Sequence, residues 1–193
     1  MKLCNLLVLA GLVACASANA VPLSFPECPA VGNDTSGCEF LITVTAASGG
    51  AATAFTVSTS SPDLGPYDGA DDTLVGVLNK SGSVLKTLAL SSTTDIFGFD
   101  GDGPCTYISC PGATDPSGYA PAGVTYSDIN SSDTAGTVNF SIANNGSAWF
   151  GLEEALTASQ IMPGNPTPEP SSVLLFGLGL GGIAAAARRR RRT

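Results

Sequence analysis

Between residues 21 and 164, apolar and polar positions alternate in short bursts broken by Gly, Asn, Asp and Ser. Alternation of this kind is the period-two signature of half-buried β-strands. "FLITVTAA" puts Phe40, Ile42 and Val44 on one face, and "AFTVSTSS" does the same with Phe55 and Val57. "TLVGVLNK" is more continuously apolar, as expected of a central strand. "VLKTLALSS" follows Lys80-Ser81-Gly82, which reads as a hairpin loop. "DIFGFDG" offers Phe97 and Phe99, "VTYSDI" is a weaker segment, and "TVNFSIA" alternates through Val138, Phe140 and Ile142. Asn145-Gly146 favours a tight turn into "SAWFGLEEAL", which carries Trp149, and "LEEALTASQ" also fits one or two helical turns. The eight segments predict an all-β fold: a single antiparallel β-sandwich with Greek-key or immunoglobulin-like connections.

The flanking segments follow other rules. "MKLCNLLVLAGLVACASANA" has one early cation, Lys2, then an apolar run from Leu3 to Ala14 and a small-x-small close at Ala18-Asn19-Ala20. The run is short for a bilayer span, so it reads as a secretory signal that signal peptidase removes before Val21. A second reading stays open: Leu12-Val13-Ala14-Cys15 resembles a bacterial lipobox, in which Cys15 would be lipidated and begin the mature chain. The organisation is thus a signal peptide at 1–20, an exported β domain at 21–164 and a distinct segment at 165–193.

That last segment contains "PTPEPSSVLLFGLGLGGIAAAARRRRRT". Residues 171–187 carry no charge and suit a short membrane helix. Their glycines are tolerated in lipid and allow close helix approach. Arg188, Arg189, Arg190, Arg191 and Arg192 would stay on the cytoplasmic side, leaving the β domain exported. Pro166, Pro168 and Pro170 keep the preceding backbone extended and accessible. Pro168-Glu169-Pro170, the apolar stretch and the arginine cluster, in that order, resemble the PEP-CTERM sorting signal over Pro166 to Thr193. The resemblance implies processing by exosortase, a membrane-embedded transpeptidase-like enzyme of Gram-negative bacteria that make extracellular polysaccharide. Cleavage would fall near Pro168 to Pro170, from an inner-membrane precursor, with release or attachment at the cell surface or in the matrix. "GPYDGADDTLVGVLNKSG", "FGFDGDGPC" and "WFGLEEAL" are also similar to an N-terminal domain type recurring among PEP-CTERM proteins, a similarity that implies no mechanism.

Charge and composition narrow the function classes. All sixteen acidic residues lie between Glu27 and Glu169, against Lys80 and Lys86 alone in the same span. Such a surface repels nucleic-acid phosphates, which removes nucleic acid as a partner. Histidine is absent, so a Ser-His-Asp or Cys-His catalytic unit cannot be built. With Cys4 and Cys15 in the signal region, Cys28, Cys38, Cys105 and Cys110 remain, an even number suited to an oxidising compartment. The local pairing, Cys28–Cys38 and Cys105–Cys110, is the favoured one of three. A four-cysteine zinc site would need Cys-x-x-Cys spacing that is missing. Asn33, Asn79, Asn130, Asn139 and Asn145 open Asn-x-Ser/Thr triplets, read here as a product of composition.

Asp68, Asp71 and Asp72 in "YDGADDT", with Asp100 and Asp102 in "FDGDGPC", are the candidate calcium ligands. Carboxylates on Gly-rich turns suit a large hard cation, but the alternative is that these residues only cap their own turns. "DGDG" lacks the terminal Glu of an EF-hand. Glu153 and Glu154 are adjacent and should diverge, which argues against a glycosidase pair. The expectation is therefore a protein without catalytic activity or firm cofactor. Its role would be structural or adhesive, in contact with polysaccharide or other surface proteins; a calcium-dependent carbohydrate-binding module is the alternative.

Overall fold

The computed structural model describes residues 23–35, 37–110 and 118–164. The signal region with Ala18, Ala20 and Val21, the Pro168-Glu169-Pro170 motif, residues 171–187 and Arg188 to Arg192 lie outside these. Among the described residues no helix is long and apolar enough to cross a membrane.

The described residues form eight strands in one mixed sheet: β1 (Phe40–Ser48), β2 (Ala51–Thr59), β3 (Thr73–Asn79), β4 (Leu85–Ser91), β5 (Thr125–Ser127), β6 (Ala135–Ile142), β7 (Ser147–Leu152) and β8 (Met162–Pro163). The order is β5-β6-β4-β2-β1-β3-β7, with β8 on β4. The fold is all-β, as the alternation implies, but not an antiparallel sandwich. The β1–β2 hairpin, closed by Gly49-Gly50, brings the chain back beside the start of β1. The loop of residues 60–72 stays at that end, where Ser60 N–H donates to Glu39 O at 2.8 Å. β3 then starts beside β1 and must run parallel to it, with Phe40 opposite Val75 and Val44 opposite Asn79. A single register pair, Ala51 with Thr87, joins β2 to β4 and keeps both halves in one sheet.

The sheet curls so that its inner face encloses one core. Phe40, Ile42 and Val44 of β1 meet Val75 and Val77 of β3, Leu88 and Leu90 of β4, Val138 and Phe140 of β6, and Phe150 and Leu152 of β7. The outer face of β3 is covered too, which explains its unbroken apolar run. Leu74 packs there with Phe25, Cys28, Val31, Cys38 and Tyr67. The Cys28–Cys38 disulfide lies over the strand, and Gly76 makes room for it: a Cβ there would stand 2.5 Å from Cys38 Sγ. The Cys105–Cys110 disulfide also forms, so both local pairings are present.

Several expected elements differ. Lys80-Ser81-Gly82 does not close a hairpin, because β3 pairs with β1 and β7 while β4 pairs with β2, β6 and β8. It is an arch from one half of the curled sheet to the other. The Asn145-Gly146 turn is present, with Gly146 N–H donating to Ala143 O at 2.9 Å, but it too is an arch between β6 and β7. "DIFGFDG" is loop, its Phe97 drawn into the core rather than into a ladder. "LEEALTASQ" ends β7 and continues as turns, without a helix.

Asn79, 0% exposed, fastens the two arches together. Its Nδ2 donates to Ser83 O at 2.8 Å and to Ile142 O at 2.9 Å. Its Oδ1 accepts from Ser81 N–H at 3.0 Å and Ser81 Oγ–H at 2.7 Å. Its backbone N–H donates to Gly146 O and its carbonyl accepts from Asn145 N–H. Truncation would orphan the buried Ile142 carbonyl and release the Ser81 and Ser83 turn, so Asn79→Ala should cost about 2–4 kcal/mol. Chemical denaturation of the two proteins checks this, and a loss below about 0.5 kcal/mol would mean the arches hold without the amide.

Candidate functional site

At the end of the sheet opposite Asn79, three chain segments bring carboxylates together. Residues 66–72 form a closed turn in which Asp68 Oδ1 accepts N–H groups from Ala70, Asp71 and Asp72 at 2.9, 3.2 and 3.3 Å. This orients Asp68 and delivers Asp72 to the position just before β3, where it is 0% exposed. Asp100 and Asp102 come from the loop after β4. Glu153 follows β7 directly; because Thr73 sits opposite Leu152 in the ladder, Glu153 falls opposite Asp72. Carboxylate oxygens of Asp68, Asp72 and Asp102 lie within 4.8 Å of one another, and so do those of Asp71, Asp72 and Glu153.

Tyrosines hold the centre. Tyr67 Oη–H donates to Asp72 Oδ2 at 2.6 Å. Tyr119 Oη lies 2.9 Å from Asp72 Oδ1, 2.8 Å from Asp102 Oδ1 and 3.3 Å from Asp100 Oδ1. A phenol carries one proton, so it satisfies one of these oxygens at a time. The Tyr119 ring is seated against Gly103 and Gly151, where a Cβ would come within 2.5 and 3.1 Å of it, and packs at a tilt on Phe99, 4.7 Å between centroids. Its carbonyl accepts from Gly151 N–H and Tyr126 Oη–H.

Among the described residues no cationic side chain lies near this charge. The two lysines among the described residues sit at the other end of the sheet. Lys80 donates to Asn145 Oδ1, and Lys86 lies against Gly50. The length of β3, about 20 Å, separates them from the carboxylates. Desolvation therefore dominates. It pushes Asp72 up to about 7, against the opposing hydrogen bonds from Tyr67 and Tyr119, with Glu153 and Asp102 adding to the rise. Glu153 is raised, again mainly by burial. Asp100 is raised and Asp102 lowered, each chiefly through its interaction with the other. Burial also raises both tyrosines, so they remain donors.

Of the five aspartates singled out from sequence, Asp68, Asp72 and Asp102 converge. Asp71 joins on the Glu153 side, and Asp100 lies beside Asp102 at the exposed rim. Glu153 is buried and Glu154 exposed. Sequence reasoning weighed Glu153 only as half of a glycosidase pair, not as a partner of the aspartates, and missed Tyr67 and Tyr119. Glu153 follows from the β3–β7 register, which local alternation does not contain; Tyr119 lies in "SGYAPAG", where nothing marks it.

A second buried acidic pair lies under the N-terminal segment. Asp34, 1% exposed, and Glu39, 3% exposed, leave Asp34 Oδ1 and Oδ2 and Glu39 Oε2 without hydrogen-bond partners. Burial, then the charge of Asp63, pushes Asp34 up to about 6. Glu39 is pushed up to about 8 by burial, then by Asp63 and Asp34, against a hydrogen bond from Thr73. Unfolded, these groups titrate at 3.8 and 4.5. The folded state therefore binds more protons than the unfolded chain within that window, and stability falls as pH rises through it. In EDTA the melting temperature should be lower at about pH 8 than at about pH 5, by about 5 °C or more. Glu39→Gln, with nothing to ionise, should raise the value at the higher pH and flatten the profile. Calorimetric melts across the range check both, and a flat wild-type profile would contradict the burial of charge.

No curated protein and no solved structure matches the chain. One family model does match, over residues 166–192: the PEP-CTERM protein-sorting motif. The match covers the proline-glutamate-proline triplet, the uncharged stretch and the arginine cluster, the parts that the domain at 23–164 does not use. The chain therefore carries the PEP-CTERM sorting signal, the mark of an exported protein that exosortase processes for the cell surface.

Proposed function

We propose that this protein is a surface or matrix component of a Gram-negative envelope, with a structural or adhesive role beside extracellular polysaccharide and no catalytic activity of its own. The observation that carries the reading is the sorting motif at residues 166–192. Signal peptidase removes residues 1–20, the apolar stretch 171–187 holds the precursor in the inner membrane, and the arginines keep its end cytoplasmic. Exosortase then cuts near Pro168 to Pro170. Two disulfides in so small a domain suit the oxidising side of that membrane. The acidic surface and the absence of histidine favour a binding or scaffolding role over acid–base chemistry.

Intact-mass measurement of the exported protein, from cells with and without exosortase, tests this reading. The expected product begins at Val21, ends near Pro168 and occurs only with exosortase. The same species should co-fractionate with the cells' polysaccharide. Retention of Arg188 to Arg192 in both strains would make the segment an ordinary anchor, and a lipid on Cys15 would overturn the reading of the N-terminus.

A further inference from the structure

Carboxylates gather on exposed loops in many proteins without holding anything, and Asp68, Asp71 and Asp100 alone would mean no more than that. Glu153 is different. It lies at the mouth of the β3–β7 ladder, 9% exposed, and its Oε2 has no hydrogen-bond partner. Its carboxylate comes within 4.8 Å of those of Asp71 and Asp72, and Asp72 is fully buried. Like charges directly across a ladder repel, and a buried carboxylate oxygen without a partner has lost its hydration with nothing in return. Each of these costs disappears if a cation sits among the oxygens.

We propose that this cluster is a calcium site, with Asp72 shared between Asp68 and Asp102 on one side and Asp71 and Glu153 on the other. The donors are all hard oxygens. The chain has no histidine, and the nearby Cys105 is tied to Cys110, which leaves nothing for a softer metal. Ligand oxygens up to 4.8 Å apart match opposed donors about 2.3–2.6 Å from one ion, the calcium range. Magnesium wants a tighter octahedron, about 2.0–2.1 Å, and retains its water. The Asp68 turn and the hydroxyls of Tyr67 and Tyr119 hold the carboxylates in place beforehand, so the ion meets a built cradle.

The site goes beyond the sorting and surface role, because it gives the β domain a control. An ion there cross-links residues 68–72, residues 100–102 and the end of β7, three segments far apart in the chain. It would also fix the loop that presents Tyr107, a residue 48% exposed whose ring meets that of Tyr67 edge-on at 5.8 Å.

The test is calorimetric titration of calcium chloride into the EDTA-stripped exported protein, with thermal melts alongside. Binding is expected at about 0.1–1 mM or tighter, with a rise in melting temperature of about 5 °C at saturating calcium and a much smaller one with magnesium. Glu153→Gln should weaken binding about 10-fold or more, and should raise the melting temperature of the stripped protein because it removes a repelling charge. Asp72→Asn, which keeps an acceptor for Tyr67, should also lose calcium. Asp128→Asn, exposed and outside the cluster, should bind as the wild type does. Absence of both heat and stabilisation with calcium would overturn the proposal, and so would unchanged affinity in Glu153→Gln. If Asp72→Asn fails to fold, the Glu153→Gln result decides.

Discussion

The fold depends on the amide of Asn79 being fully satisfied. A sheet joined through one register pair between β2 and β4 would splay unless something closed its two halves on each other at the arch end. Both chain crossings, from β3 to β4 and from β6 to β7, run through the reach of this one side chain. Its two donors take a carbonyl from each crossing, and its oxygen takes the Ser81 turn. Aspartate could not donate and leucine could not accept, so the position demands an amide. The same residue opens an Asn-x-Ser triplet, and its burial shows that the triplet serves the fold.

With the arch end closed by neutral amides and both described lysines, the other end takes the acidic load. The separation follows from topology. β3 starts at the carboxylate end and finishes at Asn79, and β7 runs antiparallel beside it, so residues before β3 and after β7 must meet. Asp72 and Glu153 are consequences of that register. The two disulfides sit on the same side of the chain's economy: one clamps the N-terminal segment over β3, the other closes the loop that follows Asp102. The acidic end is therefore braced by covalent links around it, while its charges meet the hydroxyls of Tyr67 and Tyr119 but no cationic side chain among those described.

How much of this was legible depended on range. β1, β2, β3, β4 and β6 could be read from alternation because one face of each meets the core, and β3 stood out because both faces are covered. The loop "DIFGFDG" misled for a related reason: Phe97 and Phe99 alternate, but they fill the core and the Tyr119 slot rather than pairing in a ladder. Strand direction was not legible. Whether Lys80-Ser81-Gly82 made a hairpin or an arch depended on β3 lying between β1 and β7, a long-range fact that no local turn residue carries. The aspartates were visible as a cluster in sequence, while Glu153 became a partner only through the β3–β7 register.

The sorting signal and the acidic end bear on each other through location. Modules that work outside the cell bind calcium at about 10⁻⁴ to 10⁻³ M, affinities that leave them unloaded in the cytosol. A domain whose carboxylates repel one another when stripped would then be weakest before export and would gain stability on reaching a calcium-rich exterior. The acidic pair under the N-terminal segment responds to pH instead, since Asp34 and Glu39 favour the folded state most where they stay protonated. The charge that repels within the stripped cluster is thus the charge that the proposed ion would turn into a cross-link. The sorting signal at residues 166–192 is that of an exported protein, so the proposed ion would be met on the outer side of the membrane.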